Sequence, residues 1–426
     1  MSMASVSNAS ALFDGALDGN MRKVKAALAA GANVNGCPEL PYTPIMAATA
    51  AHNVSMVRFL IKQQGVDLDR CADHDLPCPS TEEGIMPGDR ALHIAAKLGN
   101  VEIVRLLNRG GADLNATDTR GRTPLFAACA CLKECVPVAR VLLEVGANPA
   151  LADGIGCTPL HAVAQNGLID LLDIVYTGAP DTLIRYSTNG RTPLFFACAN
   201  DHENMVSRLL SLGAMQWVRP HNPNMCPLLV ATAKGYEGVV RVLIREGMPA
   251  VGRMMSMPYA IHGAIQSSQV RILRLLLAVD GEAKTRSYWA NIELSGRQPL
   301  QLGSALCCPA SVNILLAAGA DETVRDWEGL APRDVVGMGL ELDGVRMDRE
   351  KEIAVRRMLE HGPAYRARSW AWPAEEGDGG GSGDGGAVVT SPPVAPKAPV
   401  SVRIFVRPKD DGKFFGSLIH RYCRKG

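Results

Sequence analysis

Aromatic side chains are scarce in this chain, making up 5% of its 426 residues. A large β-sandwich or barrel draws on such bulk to fill its core, so the scarcity argues for close-packed helices with small side chains. Net charge is nearly missing as well. The 44 Lys and Arg residues offset 43 Asp and Glu to leave +1, so no global field recruits nucleic acid or an anionic membrane. No apolar run reaches the roughly 18 residues that a membrane span needs. The longest, such as I-L-R-L-L-L-A-V from Ile272, are short and interrupted, and membrane contact is not expected. The opening M-S-M-A-S-V-S-N-A-S-A-L-F-D-G has no basic stretch ahead of an apolar core, and Asp14 speaks against a transit peptide. Twelve cysteines are scattered too thinly for a disulfide scaffold and read as reduced, mostly buried thiols in the cytosol or nucleus.

Catalytic signatures are absent in turn. There is no G-x-x-x-x-G-K-[ST], no G-x-S-x-G, no H-E-x-x-H and no kinase loop set, so the chain reads as non-catalytic and without a cofactor. Cys71, His74 and Cys78 have a metal-like C-x2-H-x3-C spacing, but zinc wants four such ligands. They read as a solvated loop, with no metal.

What the sequence does have is repetition. G-R-T-P-L-F-A-A-C begins at Gly121, G-C-T-P-L-H-A-V-A at Gly156 and G-R-T-P-L-F-F-A-C at Gly190. The residues after the T-P pair are Ile45, Leu92, Leu125, Leu160, Leu194, Leu228, Ile261 and Leu300, with Arg333 in the same place in G-L-A-P-R-D-V-V. Successive gaps are 47, 33, 35, 34, 34, 33, 39 and 33 residues, which is the mark of stacked structural units. Each unit carries its own punctuation. Asp118 and Gly121 mark a turn, Thr123 can cap a helix, and Pro124 fits the first helical position, where its missing donor costs nothing. Small residues Ala127 and Ala128 permit close approach. A second helix, V-A-R-V-L-L-E-V from Val138, has larger apolar residues on a helical period, and Gly146 ends it. One such unit cannot bury its own apolar face; stacked neighbours can.

These residues resemble the ankyrin repeat family. Its T-P-L-H-x-A core appears from Thr158, from Arg90 and from Thr123, and its closing G-A-D-x-N from Gly111, Gly31 and Gly319. The resemblance spans about residues 9–361 and implies an all-α solenoid of helix–turn–helix units with short hairpin-like excursions, about ten units with degenerate caps. It also implies that His93 and His161 bridge adjacent turns rather than act as bases, and that a partner protein binds the concave face. Residues 1–8 read as a flexible start, 9–368 as the array with an insertion at 70–87, 369–400 as a Gly/Pro-rich linker and 401–426 as a basic element. Smaller inserts read at C-L-K-E-C and around S-Y-W-A-N-I-E-L-S-G. The eighth unit, M-P-Y-A-I-H-G-A-I, departs from the pattern.

Tip residues need not maintain the core, so unusual types there point to binding. Tyr186, Trp217, Tyr288, Trp289 and Trp327 fall in or beside excursions, accompanied by Arg185, Arg219, Arg253 and Arg325, with Arg120 and Arg122 upstream. Trp, Tyr and Arg are the types that anchor protein interfaces. The expected partner is a protein that is acidic or phosphorylated, with apolar anchors. The terminal residues from Ser401 hold seven Lys/Arg against two Asp and read as a second docking element. Their S-L-I-H-R-Y-C-R is similar to the ubiquitin-ligase box that follows some ankyrin arrays, although its apolar-to-cysteine spacing is off by one.

Overall fold

The structure, a computed structural model, describes residues 3–37, 40, 42–72, 85–131, 135–214, 226–247, 250–279, 282–338 and 348–361. Among them the regular structure is helical, with isolated bridges and no strand. The chain divides into two compact bodies, Met1–Ala231 with Gly238–Gly252, and Thr232–Glu237 with Arg253–Gly426.

The first body is a succession of helix pairs. They are α1 (Met3–Leu17) with α2 (Met21–Ala29), α3 (Pro44–Ala50) with α4 (Val54–Leu60), and α5 (Ala91–Lys97) with α6 (Val101–Arg109). There follow α7 (Pro124–Ala130) with α8 (Val136–Glu144), α9 (Pro159–Asn166) with α10 (Ile169–Gly178), and α11 (Pro193–Ala199) with α12 (Glu203–Ser211). Next comes α13 (Pro227–Lys234), which ends across the border between bodies, and α14 (Glu237–Gly247) closes the first. Helix α1 starts at Met3, inside the stretch expected to be flexible.

The short first helices start where the T-P pairs place them. Thr43 Oγ1 accepts the Met46 amide at 3.3 Å, Thr123 that of Phe126 at 3.2 Å, and Thr192 that of Phe195 at 3.2 Å. Each threonine satisfies one of the orphan amides of the first turn. All eight anchor residues from Ile45 to Leu300 are buried, whereas Arg333 is exposed and residues 332–338 are turns instead of a first helix. The main helix contacts join each first helix to the next (α3 to α5, α5 to α7, α7 to α9, α9 to α11) and each second helix to the next (α4 to α6, α6 to α8, α8 to α10). That is a linear stack, in which burial is supplied by neighbours.

The outer surface of the second helices is laced between units. Arg58 donates to Glu102 at 2.7 Å, Arg105 lies 3.6 Å from Glu144, and Arg208 bonds Asp173 at 2.8 Å. The insertion at 70–87 is clipped at its base. The Ala72 amide donates to Asp89 O at 2.8 Å, the Gly88 amide to Ala72 O at 2.9 Å, and Ile85 is buried. His74 and Cys78 of the C-x2-H-x3-C string lie outside the described residues; Cys71 is exposed. Among the described residues no three metal-ligating groups gather.

The second body holds most of α15 (Ala250–Gln266), then α16 (Val270–Leu277), α17 (Ala283–Ala290), α18 (Pro299–Ala305), α19 (Pro309–Ala317) and α20 (Arg349–Glu360). Here the eighth unit loses its turn: α15 runs straight through Pro258. It also gains a helix, α17, where its excursion was expected.

Candidate interaction surface of the hairpin tips

Three of the described excursions end in a tight tip built on one acid and one glycine. Asp118 Oδ1 accepts the amides of Arg120 and Arg122 at 2.9 and 2.8 Å. Asp153 Oδ1 does the same for Ile155 and Cys157, and Asp326 Oδ1 for Glu328 and Leu330. The turn then needs a left-handed residue, supplied by Gly121 (φ 77°), Gly156 (φ 77°) and Gly329 (φ 81°). Tips stack on one another. The Gly154 amide donates to Arg120 O at 2.7 Å and the Thr188 amide to Ile155 O at 2.8 Å.

Buried polar side chains hold the tips from beneath. His93 Nε2 lies 2.9 Å from Arg122 O, and His161 Nε2 lies 3.1 and 3.3 Å from Arg185 O and Arg191 O. In the second body His262 Nε2 lies 3.2 Å from Arg297 O, and Gln301 Nε2 donates to Leu330 O at 3.0 Å. His161 Nδ1 accepts the Thr158 amide at 3.0 Å, which assigns the proton to Nε2 and makes the ring a donor to the next tip. Burial pushes all three imidazoles down, His161 to about 4. These rings are neutral props for the loops above them.

The structure sorts the expected binding residues. Arg120 is exposed, and among the described residues no carboxylate pairs with it. Arg185 is exposed but donates to Ala150 O at 3.1 Å, and Tyr186 is half-buried. Arg325 is exposed and folds back onto Gly329 O at 2.7 Å. Beside it Trp327 is 58% exposed. One edge of its ring leans over Gly296, where a Cβ would meet Trp327 Cδ1 at 2.7 Å.

Two expectations are overturned. Arg122 is not a surface anchor: it is 8% exposed, and its Nε lies 3.3 Å from Asp118 Oδ2, so the turn acid draws it inward. Trp289 is not on a tip either. It lies on α17, 4% exposed, with the Tyr288 ring edge-on against it at 4.9 Å. Tyr288 shares that helix and remains 46% exposed. Trp217 and Arg219 lie outside the described residues, and the side chain of Arg253 is not described.

Sequence reasoning missed Ile155, which is 52% exposed on its tip. The signal was there. D-T-R-G from Asp118, D-G-I-G from Asp153 and D-W-E-G from Asp326 align, and put Ile155 in the slot of Arg120. It also missed Asp89 and Lys97, which form an ion pair sealed from solvent.

Among the described residues no helix is long and apolar enough to cross a membrane. A family model described as ankyrin repeats (3 copies) matches overlapping stretches covering residues 12–118, 74–153, 92–182 and 160–254. The chain is similar to human ankyrin repeat and SOCS box protein 16, at 32% identity over 216 residues, which is 49% of this chain and 44% of that protein. It is 27% identical over 274 residues to mouse NF-kappa-B inhibitor delta, covering 61% of this chain and 76% of the relative. It is 24% identical over 289 residues to the Arabidopsis thaliana E3 ubiquitin-protein ligase KEG, covering 57% of this chain but 17% of the relative. The chain thus spans less than half of the first and third of these proteins. The T-P caps, the buried anchors, the unit-to-unit stacking and the family match together make it a member of the ankyrin repeat family, an all-α solenoid of the kind that mediates protein–protein interaction.

Proposed function

We propose that the protein is a non-catalytic adaptor or scaffold whose hairpin tips and inner helices grip a partner protein. The observation that carries this reading is the division of labour between surfaces. The second helices spend their charges on one another, as in Arg58 with Glu102 and Arg208 with Asp173. The tips instead present Arg120, Ile155 and Trp327 to solvent, and helix α17 presents Tyr288. Exposed Trp, Tyr and Arg are the side chains from which interface hot spots of about 2 kcal/mol or more are built. Arg185 and Tyr186 in the first body and Arg325 in the second are further anchors of this kind, and the fitting partner is acidic or phosphorylated, with apolar anchors. The compartment that suits free, buried thiols is the cytosol or nucleus.

The test is capture of partners by the tagged full-length protein and by the Tyr288→Ala, Trp327→Ala double variant. Loss of a specific partner with an unchanged thermal melt supports the reading. Full retention of every partner refutes it.

A second reading is a substrate-recruiting adaptor of a ubiquitin ligase, docked through residues 401–426. The name of the human relative, with its SOCS box, and that of the plant ligase favour it. The sequence S-L-I-H-R-Y-C-R carries it on this chain, outside the described residues. Co-purification of ligase subunits that vanishes on deleting 401–426 is the expected outcome.

A further inference from the structure

The stacked tips of the first body also carry information about the partner's register. Arg120, Ile155 and Asn189 occupy one slot on three successive tips, in D-T-R-G, D-G-I-G and S-T-N-G. All three are exposed. Their spacing is fixed by backbone: Arg120 O accepts the Gly154 amide at 2.7 Å, and Ile155 O accepts both the amide and the hydroxyl of Thr188, at 2.8 and 3.0 Å. This surface is preorganised, and ordering it on binding costs little.

Among the described residues no carboxylate pairs with Arg120, and the neighbouring acids are engaged in their own turns. Asp118 accepts the turn amides through Oδ1 and meets Arg122 through Oδ2. Asp153 accepts the amides of Ile155 and Cys157 through Oδ1. One unit on, Ile155 holds an aliphatic side chain half in water, with the backbone beneath it already bonded. A guanidinium and an aliphatic group side by side fit a ligand that has an anion followed by an apolar group.

Geometry sets the interval. Packed helices of adjacent units lie about 10 Å apart, so the slot advances by about that much per unit. A chain extended in polyproline II geometry rises about 3.1 Å per residue and turns once in three, so residues three apart share a face and span the step. We propose that the Arg120 and Ile155 tips read an extended segment of a partner protein in which an Asp or Glu stands three residues from a branched apolar residue. Arg120 takes the carboxylate, Ile155 takes the apolar side chain, and Asn189 faces a polar position three residues further on. This rests on the adaptor reading and specifies what one part of its surface selects.

The test is selection of random twelve-residue displayed peptides on the immobilised full-length protein. The wild type is expected to enrich an acid three positions from Ile, Leu or Val. Arg120→Glu is expected to exchange that acid for Lys or Arg while keeping the apolar residue. Ile155→Asp is expected to keep the acid and drop the apolar residue. A synthetic copy of the winning peptide is expected to lose about tenfold in affinity on Arg120→Glu, with an unchanged thermal melt. Absence of the spacing, or the same acidic peptides on Arg120→Glu, overturns the proposal. Should Tyr288→Ala with Trp327→Ala abolish partner capture while Arg120→Glu changes nothing, the adaptor reading stands and this one falls.

Discussion

Lys97 Nζ lies 2.7 Å from Asp89 Oδ2, and both side chains are shut off from water. Asp89 also receives the Met86 amide through that same oxygen, at 2.7 Å, while its Oδ1 is left without a hydrogen bond. Asp89 stands just ahead of Arg90 and Ala91, which fill the T-P slot of this unit, Lys97 ends α5, and the pair lies at the base of the insertion. A buried ion pair is poor evidence of stability in itself, but breaking one side strands the other.

Lys97→Met is therefore expected to destabilise the protein by about 3–5 kcal/mol, because it leaves the buried Asp89 carboxyl without its partner. Lys97→Met combined with Asp89→Asn is expected to recover part of that loss. By contrast Glu102→Ala, which breaks the exposed pair with Arg58, is expected to cost about 1 kcal/mol or less. Denaturant unfolding of the variants checks the order. Equal effects would mean that the buried pair is no more than a surface contact.

A pH dependence follows from the histidine props. Burial holds His161 at about 4, below the ordinary value near 6.5, so the unfolded chain takes up a proton that the folded chain refuses. Its contribution to stability is thus complete above about 6.5 and is lost as pH falls from there towards about 4. His161→Gln, which borrows the side chain that Gln301 uses in the same slot, is expected to keep the bonds to the next tip and flatten this part of the profile. Chemical denaturation across that pH window reads it directly.

At Gly121 two demands coincide: φ is 77°, and a Cβ would stand 2.9 Å from the Gly154 amide nitrogen of the next tip. Gly121→Ala is expected to cost about 1–3 kcal/mol through strain alone, and more if the tips must part. The same change at Gly329, where φ is 81° but nothing lies within 4 Å, is expected to cost only the strain. The difference between the two melting curves isolates the stacking of tips.

Much of this was legible beforehand. The T-P pairs announced where helices begin, and the anchors announced what they bury, because those are local rules repeated in register. Trp289 shows where such reading fails. A 39-residue gap suggested a loop at S-Y-W-A, yet A-K-T-R-S-Y-W-A has no glycine or proline to stop a helix, and α17 forms. Arg122 fails for a different reason. Its neighbours mark a tip, but side-chain direction is decided by Asp118 four residues earlier, and no spacing rule conveys that. The eighth unit lacks a Thr cap ahead of its proline, so nothing halts α15 before Pro258, yet His262 still reaches the Arg297 carbonyl and preserves the register.

The contact pattern has a last consequence. In the first body the main contacts of a helix are with its partner in the same unit and with helices of the units on either side, so packing far along the chain does little to hold it in position. Damage is therefore local: a lesion in one module weakens its two flanks and leaves distant modules as they were. Such a construction can gain or lose a whole module over evolutionary time and still stand, which a protein with a single shared centre cannot do.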